Sequence, residues 1–237
     1  MKKLAIITGT GGGVGKSLSL NLINKGYNVY GYSRTNEINN PYFHFNKIDL
    51  SNLQKVKNLK LPNISEELEE VVLINNAATI GKILPINLKP QEDIIYEYTL
   101  NIITPSLMCS KFISAYPKNK KIIINISSGA ANTQIASWSN YCASKSALDM
   151  LTKVLVEEKH ENLNAFSVYP GVVDTNMQQK IRKANPQFFP LLKKFVSYKQ
   201  ENQLEKVEIV AKKILHIIQN AHKISQNIVS VRDIHIN

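Results

Sequence analysis

Short apolar runs alternate with amphipathic stretches along this chain. Leu4-Ala5-Ile6-Ile7 reads as a buried strand, and Ser17 to Lys25 as a helix with Leu18, Leu22 and Ile23 on one side and Gly26 just past its end. Val29 to Tyr32 predicts a second strand, Phe43 to Ile48 a third, Val71 to Ile74 a fourth, Lys121 to Ile126 a fifth, Ala165 to Val168 a sixth and Ile228 to Val231 a seventh. Helices are expected over about 51–60, 91–116 in two pieces, 141–160 and 204–220. A strand covered on both faces is apolar throughout rather than at alternate positions, and these runs have that character. The alternation predicts right-handed crossovers and one doubly wound parallel α/β sheet of about seven strands, with helices on both faces. Ligands of such a sheet bind beyond the carboxyl ends of its strands, where strand order reverses.

Composition narrows this further. With 237 residues and 43% apolar side chains, the chain suffices for one well-buried core, so a single domain over 1–237 is expected. The net charge of +11 raises the question of a nucleic-acid surface. Its lysines are scattered, with no run of five and no arginine-rich tract, so solvated faces that help attract a phosphorylated ligand are the expectation and nucleic acid is not. Two cysteines make neither a disulfide framework nor a metal cluster, and the five histidines lack ligand spacing. Apolar runs such as Val71 to Ile74 are too short to cross a bilayer, and Met1-Lys2-Lys3 leads into a strand rather than a long apolar stretch. A cytoplasmic protein without membrane association is expected.

The stretch Thr8-Gly9-Thr10-Gly11-Gly12-Gly13-Val14-Gly15-Lys16-Ser17 permits two chemistries. Its Gly15-Lys16-Ser17 tail resembles a triphosphate loop, but Thr10 stands where that loop needs its first glycine. Asn46-Lys47-Ile48-Asp49 mimics a guanine-reading motif, yet follows too closely, and no magnesium-binding Asp-x-x-Gly lies between. A dinucleotide turn fits better: glycines directly after a strand, opening a helix whose amides and dipole favour pyrophosphate. Gly9, Gly13, Val14 and Gly15 would form it. After strand two, where a carboxylate would select NAD, the chain has Ser33-Arg34-Thr35, suited to the 2′-phosphate of NADP. Asp49, after strand three, could accept from the adenine amino group or cap the next helix.

Tyr141 and Lys145 stand at i and i+4, on one helix face, and Ser128 closes an apolar strand thirteen residues earlier. Both hydroxyls are thereby expected at the ligand edge of the sheet. The ordered set Thr8-Gly9-x-x-x-Gly13-x-Gly15, Asn75-Asn76-Ala77, Asn101, Ser128, Tyr141-x-x-x-Lys145 and Pro170-Gly171 resembles the short-chain dehydrogenases/reductases over essentially the whole chain. Residues 126–130 and 170–178 resemble, within them, the benzil reductases and, less closely, the sepiapterin reductases, which reduce small dicarbonyls or a pterin side-chain ketone with NADPH.

The resemblance implies a Rossmann-type fold and reduction of a small carbonyl compound with NADP(H). Tyr141 would donate the proton, with its pKa, ordinarily about 10, lowered by Lys145. Lys145 would also hold the nicotinamide ribose, Ser128 would orient the substrate oxygen, and Asn101 would hold a water leading from Lys145 to solvent. Asn76 and Ala77 would approach the cofactor, Pro170-Gly171 would turn over the nicotinamide, and Val173 and Thr175 would contact its carboxamide. Ala78 replaces the family's usual glycine and would be strained if its φ were positive. Asp174 is read as a cap for the following helix. Residues 176–200 read either as a substrate lid or, for most of their apolar residues, as a helix pair packing on the core, with Met177, Trp138 and Tyr169 as substrate contacts. A homodimer or homotetramer through 91–116 and 141–160 is implied by the family. A non-catalytic NADP(H) sensor of the same fold would need the glycine turn but not the Ser128, Tyr141 and Lys145 set.

Overall fold

The structure is a computed structural model that describes residues 3–63 and 68–236. Seven parallel strands form one sheet in the order β3-β2-β1-β4-β5-β6-β7. They are β1 Lys3–Thr8, β2 Tyr27–Ser33, β3 Phe43–Lys47, β4 Glu70–Asn75, β5 Lys120–Ile126, β6 Leu163–Tyr169 and β7 Ile228–Ser230. Helices α1 Gly13–Ile23, α2 Leu53–Asn58, α3 Gln91–Tyr98, α4 Thr104–Ala115, α5 Ser139–Glu157, α6 Asn176–Ile181, α7 Leu192–Gln200 and α8 Val207–Gln219 complete the regular structure apart from short turns.

The predicted doubly wound sheet is present, and the alternation of side chains along β1 shows why. Ala5 and Ile7 join the cluster containing Leu18 and Leu22 of α1 and Val210 and Ile214 of α8. Leu4 and Ile6 join the opposite cluster, with Met108 and Phe112 of α4 and Leu155 of α5. Both faces are covered, which explains the unbroken apolar runs. The exception is β3: its run predicts a buried strand, but it stands at the edge of the sheet beside β2, and His44, Phe45 and Lys47 are exposed.

Strand order reverses between β1 and β4, and the glycine turn after β1 and Asn75-Asn76 at the end of β4 flank that point. The expected break in 91–116 is a π-helical turn, Thr99–Ile103, between α3 and α4. Its cause is legible in hindsight: Pro105 has no amide to give the carbonyl of residue 101. Helix α2 is capped by Asn52, whose side chain accepts from the Lys55 amide at 3.0 Å, not by Asp49.

Candidate active site

A crevice of about 1020 Å³ runs along the carboxyl ends of the strands. Its walls include Gly9, Gly13, Val14, Ser33, Arg34, Asp49, Asn76, Ala77, Ser128, Trp138, Tyr141, Lys145, Tyr169, Pro170, Gly171, Val173, Thr175 and Met177. Gly15 and Asn101 do not line it; they stand behind the wall.

Gly15 is excluded for a physical reason. A Cβ built on it would lie 2.3 Å from the Gly9 carbonyl oxygen, so this glycine lets α1 pack on the turn rather than letting a ligand approach. Gly9 takes φ +76°, and a Cβ there would lie 2.9 Å from the Ala77 Cα. Asn76 locks the two strand ends together, donating from Nδ2 to the carbonyls of Thr8 at 3.0 Å and Gly9 at 3.1 Å. Ala78 is not among the described residues with positive φ, so the missing glycine strains nothing. Helix α1 opens at Gly12 with no side-chain cap and with free space where a Cβ would stand. Its bare amides fit a pyrophosphate. Lys16 is held in an ion pair with Glu37 at 2.7 Å, so the ammonium that the triphosphate reading needs is already engaged.

At the adenosine end, Ser33 is buried and internally used: its hydroxyl donates to the Thr35 carbonyl at 2.6 Å and lies 3.1 Å from Thr10 Oγ1. Arg34 is exposed at the rim. Asp49 accepts from the Ser51 hydroxyl at 2.7 Å and amide at 3.0 Å. These bonds, with weaker pulls from Arg34 and Lys55, hold its carboxyl below the usual range.

At the other end, Ser128 at the close of β5 and Tyr141 in the first turn of α5 meet. The Ser128 hydroxyl stands close enough to the phenol to pull its pKa down and accepts from the Ala130 amide at 3.1 Å. Lys145, one turn further on, donates to the Ile126 carbonyl at 2.7 Å and lies 5.7 Å from the centre of the Tyr141 ring. Both groups are buried, and burial dominates their chemistry. The Tyr141 phenol is pushed up to about 12 by loss of water, with Ser128 pulling it down. Lys145 is lowered to about 8, again by burial, with Asp149 resisting. The expected lowering of the tyrosine by Lys145 is therefore reversed in the free protein, because desolvation outweighs the pull of Ser128. A phenol that keeps its proton at neutral pH is nonetheless a competent donor.

Asn101 sits in the π-helical turn with its amide engaged. Oδ1 accepts from the Thr79 amide at 2.8 Å, and Nδ2 donates to the Thr79 carbonyl at 2.9 Å and the Ser144 hydroxyl at 3.3 Å. Its side chain ties the strap after β4 to α5, and Ile80 on that strap lines the crevice. The Pro170-Gly171 turn leads to Val173, which pairs with Glu205, and Thr175 Oγ1 reaches the Val173 carbonyl at 3.4 Å. Asp174 does not cap α6. It pairs with Lys199 of α7 at 2.6 Å, and Thr175 occupies the cap position without a capping side-chain bond to the helix amides.

An aromatic cluster floors this end. The Trp138 ring stacks on Phe189 at 5.4 Å, tilts against Phe195 at 5.3 Å and meets the Tyr141 ring edge-on at 5.5 Å. Met177, Ile181, Leu191 and Leu192 pack with them, so residues 176–200 are continuous with the site rather than with the main core. Ser137 donates to the Phe188 carbonyl, a second tie between the two segments. The Tyr169 hydroxyl is bonded to Asp149 and Asn132 and so is not free.

A sequence profile described as short chain dehydrogenase matches residues 3–186. The chain belongs to that family. It is an oxidoreductase of the short-chain dehydrogenase type, a group that binds a nicotinamide cofactor. Among its relatives, a benzil reductase ((S)-benzoin forming) of Bacillus subtilis is 31% identical over 227 residues, covering 92% of this chain and 93% of that protein. A sepiapterin reductase of Bos taurus is 32% identical over 161 residues, 65% of this chain and 59% of that protein. A short chain dehydrogenase/reductase structure from Saccharomyces cerevisiae superposes with a TM-score of 0.83 at 24% identity, covering 98% of this chain and 96% of the other, a likeness of fold.

Sequence reasoning missed four participants. Ile80 and Arg232 line the crevice from the strap and the carboxyl-terminal segment. Asp149 and Ser144 stand behind Lys145 and Asn101. Asp149 alone had a signal, its i+4 spacing from Lys145.

Proposed function

We propose that this dehydrogenase-family protein is an NADPH-dependent carbonyl reductase acting on a small ketone or diketone, benzil-like or resembling a pterin side-chain carbonyl. The observation that carries the reading is the meeting of Ser128, Tyr141 and Lys145 in the same crevice as an uncapped α1 and an exposed Arg34. When bound, the reduced nicotinamide supplies hydride to the carbonyl carbon. Ser128 donates a hydrogen bond to the carbonyl oxygen and fixes its place. Tyr141 delivers the proton to that oxygen. Lys145 holds the ribose hydroxyls and stabilises the phenolate left behind. Gly9, Gly13, Val14, Asn76, Ala77, Pro170, Gly171, Val173 and Thr175 shape the cofactor's bed, and Arg34 reads the 2′-phosphate with Asp49 near the adenine. Residues 176–200 act as the lid of this single-domain enzyme, and Trp138 and Met177 bound a space suited to a flat apolar substrate.

The benzil reductase relatives support the diketone class, and the free thiols of Cys109 and Cys142 accord with a reducing, cytoplasmic setting. Exposed Ile95 and Ile103 on one helical stretch and Met150 and Val154 on α5 support a homodimer. Steady-state oxidation of NADPH with benzil and aliphatic diketones tests the reading. Tyr141→Phe is expected to bind NADPH as wild type and to lose roughly 10²–10⁴-fold in kcat. Retained turnover would reject the tyrosine as donor. Cofactor binding without turnover of any carbonyl in the wild type would favour a sensor.

A further inference from the structure

Asp149 follows Lys145 by one helical turn, as Lys145 follows Tyr141, so phenol, ammonium and carboxylate stand at i, i+4 and i+8 of α5. The aspartate is only 6% exposed. One carboxylate oxygen accepts from Ser167 Oγ at 2.5 Å, and the other from the Tyr169 hydroxyl, which itself accepts from Asn132 Nδ2 at 2.8 Å. Among the described residues no basic group comes within ion-pair distance of it. Three elements, α5, β6 and the 129–132 turn, thus cooperate to keep a carboxylate buried without a direct counter-ion. Such a group is costly to hold in place.

The beneficiary is next to it. Lys145 is 2% exposed and spends a hydrogen bond on the Ile126 carbonyl. Burial drives its ammonium toward the neutral form, and Asp149 opposes this. The other titratable groups around it do not do the same work. Tyr141, Cys142, Lys153 and Glu157 share its helix, and Tyr169 of β6 is bonded to Asp149. Glu97 of α3 is matched by Lys89 at 2.6 Å, and Asp93 of the same helix pairs with Lys82 at 2.7 Å. Glu92, Tyr96 and Tyr98 complete α3, residues 99–103 and 129–132 carry no titratable group, and Lys120 and Lys121 lie at the far end of β5.

We propose that Asp149 is a positioning residue of this site: held by Ser167 and Tyr169, its carboxylate keeps the Lys145 ammonium charged beside the phenol. The proposal relies on the carbonyl-reductase reading for the use of that charge, but the electrostatic claim applies to the free protein. It also explains why the Tyr169 hydroxyl, expected at the substrate, points to Asp149 instead.

The first arm of the test needs no substrate. With ¹³C-labelled lysine, the Lys145 side chain is assigned by its loss in Lys145→Arg and titrated by NMR. In Asp149→Asn its midpoint is expected about one pH unit below wild type, and in Asp149→Glu close to wild type. An unchanged midpoint in Asp149→Asn overturns the proposal; if that variant does not fold, Asp149→Ser carries the same comparison. The second arm uses NADPH and benzil. A one-unit shift predicts that Asp149→Asn loses about eightfold in kcat/KM near pH 8.5 but less than about twofold near pH 6. An equal loss at both pH values marks a purely structural role and overturns the proposal. A wild type that binds NADPH but reduces no carbonyl overturns the function proposed above and leaves the titration arm decisive.

Discussion

Tyr141 and Lys145 are each pulled away from the charged state by the same cause, removal of water, and their values of about 12 and about 8 set the enzyme's pH behaviour. As pH rises, Lys145 is the first of the two to lose its proton, because its value is the lower. Above that point the phenol has lost its cationic companion. Reduction of a diketone is therefore expected to hold steady below about pH 8 and to fall as pH rises through it, measured as kcat/KM across a pH series. A profile rising through that range would contradict the sign. Arg34 offers a second prediction at this scale. A charge-assisted bond to phosphate contributes about 1.5–3 kcal/mol, so Arg34→Ala should raise the KM for NADPH roughly 10- to 100-fold and leave that for NADH nearly unchanged. Equal effects on both cofactors would show that Arg34 does not read the phosphate. These residues were legible one by one, because each carries its chemistry in its side chain. The sense of the tyrosine's shift was not, because it depends on how much water the fold removes.

Among the elements, the strap from Thr79 to Lys89 and helices α3 and α5 are joined by one buried ion pair. Glu97 accepts from Lys89 Nζ at 2.6 and 2.9 Å, from the Lys82 amide at 3.0 Å and from Asn140 Nδ2 at 2.8 Å. Asn140 immediately precedes Tyr141, so this carboxylate steadies both the strap bearing Ile80 and the turn bearing the phenol. Glu97→Ala leaves Lys89 buried and unpaired and should destabilise the protein by about 3–5 kcal/mol, whereas the double change Glu97→Leu with Lys89→Met should recover much of that. Urea unfolding of the two variants checks it; equal losses would mean that the pair acts through packing alone. Gly15→Ala should cost about 1–3 kcal/mol in the same assay, since the new methyl meets the Gly9 carbonyl at 2.3 Å. Strands β1, β2 and β4 to β6 were readable from predominantly apolar runs. The edge position of β3 was not, because Phe43-His44-Phe45 has an apolar character that only its lack of a second neighbour exposes to water.

For the molecule as a whole, Ile95 at 67% and Met150 at 59% exposure are the most exposed large apolar side chains described, and they lie on α3 and α5. If the proposed homodimer pairs through these helices, Met150→Glu should convert it to monomer in sedimentation velocity while leaving its circular dichroism unchanged. An unchanged sedimentation coefficient from a dimeric wild type would move the interface elsewhere.

The amino-acid sequence by itself determined the alternation of strands and helices, the glycine turn, and the spacing of Tyr141, Lys145 and Asp149 on one helix face. All of these arise from interactions within about one turn of helix or one strand, which neighbouring residues dictate. Tertiary structure alone decided that Ser128 meets Tyr141, that residues 176–200 pack on Trp138, that Asn101 braces Thr79, and that Asp149 is buried behind Lys145. Those outcomes join residues far apart in the chain. They depend on which surfaces lose water when the sheet and its helices close, a quantity that no local pattern contains.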